Sequence, residues 1–485
     1  MTREEAAAAK EFITHWIEAN KESFYNVADA IWSYAELGME EYKSSKVLVN
    51  LLINNGFRVE SGVAGMPTAF MATYGADKPV IAFSAEYDAL PGLSQQPMNP
   101  IKMPIVDEAP GHGCGHNLLG VGSALAAAAL RATIDKFNLK CTINVIGSPA
   151  EEICVGKPFM ARARLFENID VILDWHPGSG NSTDYATCNA YFSRRYHFSG
   201  RTAHGSSPWI GRSALDATLI MGNMIEHLRE HINPGIPPLA ANTINYSFPN
   251  VGPAFPVVVP DRASLWVVGR VVSVEELDYI VDRIDKCAQG AALATETTFE
   301  IERITSTHER IPNKTIAELV YGNLQSVGAP KFTKDEHDFA KQLQRVYGVP
   351  EVGLDEIISD IHGGNDPVSD NAEYTWFAPI CMLHVTTTPK GIPAHSWGTT
   401  ASVGSSIGKE ALDVVGKVNA GAALDLIANP EIIDAAKKEM KERLLGRTYT
   451  SLIPEPVQPP MMINRQIMDR FRTLQEKFYQ EPLLE

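Results

Sequence analysis

Residues 79–88 read PVIAFSAEYD, residues 141–149 CTINVIGSP and residues 170–177 DVILDWHP. Each run is short and apolar, and each is followed by a stretch with helical periodicity. That alternation predicts an α/β fold: a mixed, mostly parallel sheet with helices on both faces. Sheets of this kind bind ligands beyond the carboxyl ends of their strands, and the unusual residues of this chain fall there.

Working outward, residues 4–20 and 23–37 have the pattern of two amphipathic helices, and SSKVLVNLLINNGF (44–57) that of a third ending at Gly56. From Tyr191 the pattern changes. A strand (191–200), a helix (213–232), two strands (242–248 and 263–272), a helix (273–294) and a strand (297–305) follow in turn. The order β-α-β-β-α-β is that of the ferredoxin-like split unit, so an α+β unit is expected as an insertion over 191–306. The first domain, 1–190, then resumes over 307–430 with helices at 314–327 and 333–347, the strand ICMLHVTTT (380–388) and a long helix after Ser402. Residues 431–485 form a helical C-terminal extension broken by PEPVQPP (454–460).

The 485 residues are 45% hydrophobic and 21% charged, an ordinary globular composition with a formal charge of −16. That charge argues against nucleic acid as a partner, because phosphate binding calls for a basic face. The start, MTREEAAAAKEF, lacks the basic and apolar regions of a secretory signal. No run reaches the ~18 apolar residues of a membrane span, and no membrane association is expected. Six cysteines (114, 141, 154, 188, 287, 381) follow no framework of spacings, so reduced thiols and a cytoplasmic location are expected.

The strand ends carry AEYDALPG (Asp88), GHGCGHN (Cys114, His116), SPAEE (Glu151, Glu152) and DWHPGS (His176), with GIPAHSW (His395) much later. Taken singly, each has a plain reading: a buried thiol as a small hydrophobe, paired glutamates as surface charge, a loop histidine as packing. Their joint placement differs. Carboxylates where apolar strands end want a cation, since unpaired buried charge is costly. The five candidates Cys114, His116, Glu152, His176 and His395 exceed what one tetrahedral ion uses and suit two ions sharing a ligand. Such centres polarise a carbonyl and lower the pKa of a bridging water. Neighbouring residues point to different sides, so Glu152 can be a ligand while Glu151 serves as general base and then acid.

These motifs, in this order and spacing, resemble the dinuclear metal amidohydrolases and aminoacylase-type metallopeptidases. The likeness extends to the branch with p-aminobenzoyl-glutamate hydrolase and the β-alanyl-lysine dipeptidase, and runs from about residue 10 to 425, including YDALPGLSQQ, GRSALDA and GAALATETT. The resemblance implies two divalent ions, manganese or zinc, and hydrolysis of a small-molecule amide, an N-acyl or aroyl amino acid. It implies that the inserted unit is a lid that also makes a homodimer. It further implies that His204, in GRTAHGSSPWIGRSALDA, stabilises the oxyanion in the partner's site, that Arg270 holds the substrate carboxylate, and that Asp88 orients the metal site. Val257, in PVVVP, stands where the family carries an asparagine. A lost donor there puts a glutamate-type leaving group in doubt and favours a more apolar amide. Two readings compete: a Cys114 nucleophile with His112 or His116 as base, and a metal-containing binding protein without catalysis.

Overall fold

The computed structural model describes residues 1–236 and 240–482, so three residues of the expected insertion and the last three of the extension lie outside the description. Helix α1 is continuous over Arg3–Tyr34, where the sequence predicts two helices. Neither glycine nor proline stands at the expected break, and the residues there are tied into the helix. Asn20 Nδ2 donates back to Trp16 O at 2.7 Å, and Lys21 pairs with Glu18 at 2.8 Å and with Asp413 at 2.8 Å. Helix α2 (Tyr42–Asn54) follows.

The main sheet contains β1 (Arg58–Ser61), β2 (Phe70–Tyr74), β3 (Val80–Ala85), β4 (Thr142–Gly147), β5 (Val171–Gly178) and β6 (Ser182–Asp184). A later strand, which becomes β11 in chain order, spans Ile380–Thr386. Its seven strands lie in the order β1-β2-β4-β3-β5-β11-β6. β4, β3, β5 and β11 are parallel, and the edges are antiparallel. Edge strand β1 (RVES) is largely exposed, which leaves it without the apolar run that marks the central strands.

Side chains alternate across the sheet. Ile81, Phe83, Ile143, Val145, Val171 and Leu173 face one core with α1, α3 (His116–Phe137), α7 (Lys314–Val327) and α10 (Ser406–Ala428). Ala82, Ile146 and Ile172 face a second core, covered by α4 (Gly156–Arg162) and by chain from the C-terminal extension. Helix α3 is long and apolar enough to cross a bilayer, a length the sequence reading passes over. Nearly all of it is buried inside the protein, between α1, α10 and the sheet.

Residues 190–307 build a second sheet from β7 (Ala190–Ser199), β8 (Thr243–Asn250), β9 (Arg262–Val271) and β10 (Thr298–Thr307). Their order is β8-β9-β7-β10, antiparallel throughout. Helices α5 (Ala214–Leu228) and α6 (Val274–Thr295) pack on it through a core of their own, which is the split β-α-β-β-α-β arrangement. After α8 (Lys334–Tyr347) and α9 (Trp397–Val403), the extension adds α11 (Glu431–Leu444) and α12 (Arg465–Gln475).

Candidate active site

The parallel strands deliver the site from their carboxyl ends. β3 stops at Ala85, and Glu86 and Asp88 follow it. Gly115 (φ +80°) turns the chain from Cys114 into α3, whose first residue is His116. A Cβ on Gly115 would lie 2.8 Å from Pro177, so only glycine fits there. β4 stops at Gly147, and a knuckle with Ala150 at φ +57° presents Glu151 and Glu152. β5 carries His176. His395, beyond β11, is anchored by its N–H donating to Gly113 O at 2.9 Å.

All five predicted ligands converge. Cys114, His116 and His176 offer ligand atoms within 4.8 Å of one another, and so do Cys114, Glu152 and His395. Cys114 belongs to both groups, as a ligand shared between two ions must. Its Sγ lies 3.4 Å from His176 Nε2, and His395 Nε2 lies 3.4 Å from Glu152 Oε2. His176 Nδ1 donates to Pro177 O at 2.8 Å, and His116 Nδ1 donates to Asp88 at 2.9 Å. Those bonds occupy each Nδ1 and turn each Nε2 toward the cage, where it can ligate a metal once the ring is neutral. Asp88 also accepts the Glu152 N–H at 3.0 Å, so it bonds directly to two of the five candidate ligands.

These donors fit a cation. His116 Nε2 and Glu152 Oε1 are buried without a hydrogen-bond partner, a state that costs stability unless something binds them. The electrostatics carry the same message. Burial pushes the Glu152 carboxyl well above its usual range, and burial together with Glu152 pushes the Cys114 thiol up. Burial alone would push His116 down, yet Cys114 and Asp88 hold it well above its usual range. A cation bound among these crowded acid groups would offset the cost of their burial and favour their charged, ligating forms. Burial and the His116 charge lower His176 to about 4, keeping it neutral as a ligand must be. Glu151 Oε2 lies 3.9 Å from His116 Nε2, and burial and Glu86 raise its carboxyl to about 7, close to where a general base works best.

The sequence reading misses a charged group behind the cage. Lys157, fully buried in α4, sits 2.7 Å from Glu86 Oε1 and 2.5 Å from Asp370 Oδ1. Glu86 Oε2 in turn lies 3.5 Å from His116 Nε2, and Glu86, His116 and Glu151 form a third cluster of ligand type. Glu86 could have been found by the rule that finds Asp88, since it follows the same strand. Lys157 and Asp370 carry no such signal.

His204 and Arg270 lie elsewhere. His204 is exposed, pairs with Val258 across an isolated bridge, and accepts from the Ser206 N–H at Nδ1 (3.1 Å). Its Nε2 is therefore the hydrogen-bond donor. Arg270 is exposed above the Tyr191 ring at 5.9 Å. Among the described residues no hydrogen bond or ion pair joins either one to the cage. His112 turns away as well: its Nε2 bonds Ile31 O at 3.0 Å. With that geometry and a thiol pushed up by burial, His112 is not placed to activate Cys114 as a nucleophile.

Residues 82–463 match the family described as Peptidase family M20/M25/M40, and the chain belongs to that family. It is a hydrolytic enzyme of the metallopeptidase and amidohydrolase kind, acting on amide bonds. It is 30% identical over 478 residues to a subunit of the p-aminobenzoyl-glutamate hydrolase of Escherichia coli, covering 92% of this chain and 98% of that one. It is 27% identical over 441 residues to the Xaa-Arg dipeptidase of Mus musculus, covering 86% and 88%. Among solved structures, the Bacillus subtilis YXEP protein, described as a dinuclear metal binding peptidase, shares the fold. Its TM-score is 0.53 at 18% identity, over 84% of this chain and 99% of that one.

Proposed function

We propose that the enzyme hydrolyses the C–N bond of a small N-acyl or aroyl amino acid of the p-aminobenzoyl-glutamate type. Two divalent cations, zinc or manganese, would be held by Cys114, His116, Glu152, His176 and His395. The observation that carries this reading is the convergence of those five side chains, with Cys114 common to both groups and Glu151 beside them. Bound there, the cations would polarise the substrate carbonyl and acidify water. The protein's own groups do the rest. Glu151 takes the proton from the attacking water and returns it to the leaving amine. Asp88 keeps His116 and Glu152 in place. Thiolate softness favours zinc, and the carboxylate also suits manganese.

The insertion is read as a lid over 191–306, on a catalytic domain of 1–190 and 307–430. His204 and Arg270, both exposed, are assigned to a site completed by domain closure or by a second copy, with homodimerisation through the lid. His204 Nε2–H would donate to the oxyanion, and the Arg270 guanidinium would grip a carboxylate. The Escherichia coli relative is named as a subunit, so association with a different polypeptide is the competing assembly. Light scattering of the purified chain separates the two. All six cysteines are unpaired, in keeping with a cytoplasmic location.

A second reading, a more apolar aryl amide, is favoured by one observation. Val257 is 52% exposed beside His204, with Phe255 (69%) and Trp209 (72%) nearby in sequence. A β-alanyl-lysine-type dipeptide remains the third substrate class. The test is a panel of aroyl-glutamates, N-acyl amino acids, apolar anilides and β-alanyl dipeptides, assayed after chelation and again after metal return. Turnover of an aroyl-glutamate that vanishes on chelation supports the first reading. Activity that survives thorough chelation sinks the metal site.

A further inference from the structure

The match to the family ends at residue 463, just before helix α12. This helix packs along the turn between α1 and α2. Two of its arginines close on one carboxylate: Arg465 Nε lies 2.7 Å from Glu40 Oε1, and Arg472 Nη2 donates to Glu40 Oε2 at 2.8 Å. The Glu40 side chain is fully buried between them, so removing the arginines leaves a buried charge unpaired. Asn464 Nδ2 adds a hydrogen bond to Gly38 O at 2.9 Å, and Met468 and Phe471 bury the apolar side of the helix.

The inner side of the same turn meets the active site. Glu41, also fully buried, accepts the Ala150 N–H at 2.7 Å. Gly38 runs so close to the knuckle that a Cβ on it would lie 2.8 Å from Ala150 Cβ and 3.6 Å from Asp88 Oδ2. Leu37 is bridged to Ala89, next to Asp88. Ala150 has a left-handed backbone (φ +57°), which L-residues avoid and which persists only where neighbours hold it. The next two residues are Glu151 and Glu152. One contiguous path thus runs from α12 through Glu40 and the 36–42 turn to the general base and a metal ligand.

We infer that α12 is a strap that positions the Glu151–Glu152 knuckle, with Arg465 and Arg472 as positioning residues acting through Glu40. Neither arginine touches the cage. The inference rests on the roles proposed for Glu151 and Glu152, but its test does not depend on turnover.

Hydrogen exchange on the full-length, metal-stripped protein reads the knuckle directly, because the Ala150 amide is held by Glu41 and the Glu152 amide by Asp88. In the R465Q/R472Q variant these two amides are expected to exchange about tenfold faster or more, with the middle of α3 unchanged. Calorimetric affinity for Zn²⁺ or Mn²⁺ should fall about 10–100-fold, the usual cost of losing support behind a ligand. R465K/R472K should restore both. Arg470→Gln, on the same helix, which removes the exposed pair with Glu108 and the Arg470 guanidinium over the Phe471 ring, should change neither. Two results overturn the strap: unchanged exchange at 150 and 152 with α12 detached, or acceleration spread evenly into α3. Should the double variant not fold, Glu40→Gln is read in the same way. A wild-type protein that binds no metal would remove the site reading instead, and exchange at 150 and 152 would still decide the strap.

Discussion

Cys114, His116 and Glu152 are held buried with their partners fixed, whereas His204 and Arg270 stand exposed in the inserted unit with no hydrogen bond or ion pair to the cage among the described residues. The first region is preorganised by rigid strand ends, and the second is not assembled within the single chain. The difference teaches a division of labour. On the proposed reading, the cage holds cations and a base by itself, and the inserted unit acts only after a movement or an encounter. Mutations in the two regions should therefore separate metal affinity from turnover.

The largest effect tests the cage. Glu151→Gln should leave the metal content unchanged by elemental analysis and lower kcat by about 10²–10⁴-fold, the range for a lost general base. The pH profile gives a second reading. Burial and Glu86 raise the carboxyl to about 7, and a bound cation would pull it lower. As the base works only when deprotonated, kcat/KM should rise with pH through a value at or below about 7, and the Gln variant should lack that limb. Loss of metal in this variant would make Glu151 a ligand and merge the roles assigned to the two glutamates.

Next comes the lid. His204→Ala should cost about 10²–10³-fold in kcat, as loss of an oxyanion donor does, while metal affinity stays put. Mixing His204→Ala with Glu151→Gln subunits sharpens the test. If His204 acts in the partner's site, one of the two sites in a mixed dimer has every group and activity returns. If it acts within its own chain, the mixture stays dead. Arg270→Ala should raise KM about 10–100-fold for a substrate with a free carboxylate, the worth of a charged hydrogen bond. The uncharged ester of that substrate should bind as before, and an equal loss on both would remove Arg270 from carboxylate recognition.

How much of this the sequence shows depends on the range of the interaction. The central strands and the β-α-β-β-α-β order are local periodicities, so they are legible. The five candidate ligands are legible because their residue types, in short Gly-, Pro- or Glu-containing motifs, stand out against the apolar strands they follow. Lys157 is not: it sits in an ordinary helix and finds Asp370 213 residues further on. The α1 break fails for the opposite reason. A polar stretch reads as a boundary, but Lys21 finds Asp413 392 residues away and the helix continues. The strap is the extreme case, with Arg472 meeting Glu40 across 432 residues.

The smallest expected effect concerns Val257, where the two regions would meet on substrate. Its carbonyl accepts the Gly205 N–H at 2.6 Å, and its neighbour Val258 is bridged to His204. The backbone that presents His204, the proposed oxyanion donor, is therefore shared with the position that lacks a side-chain donor. Val257→Asn would add an amide without disturbing that backbone, since the side chain is half exposed. One ordinary hydrogen bond changes binding or rate by roughly two- to tenfold. The variant should gain that factor on aroyl-glutamates and lose about as much on apolar anilides, which would give up contact with the valine methyls. Kinetics on the paired substrates decide it. A gain on both would mean that the asparagine serves the oxyanion rather than the leaving group, and the apolar surface around His204 would then carry no preference for substrate.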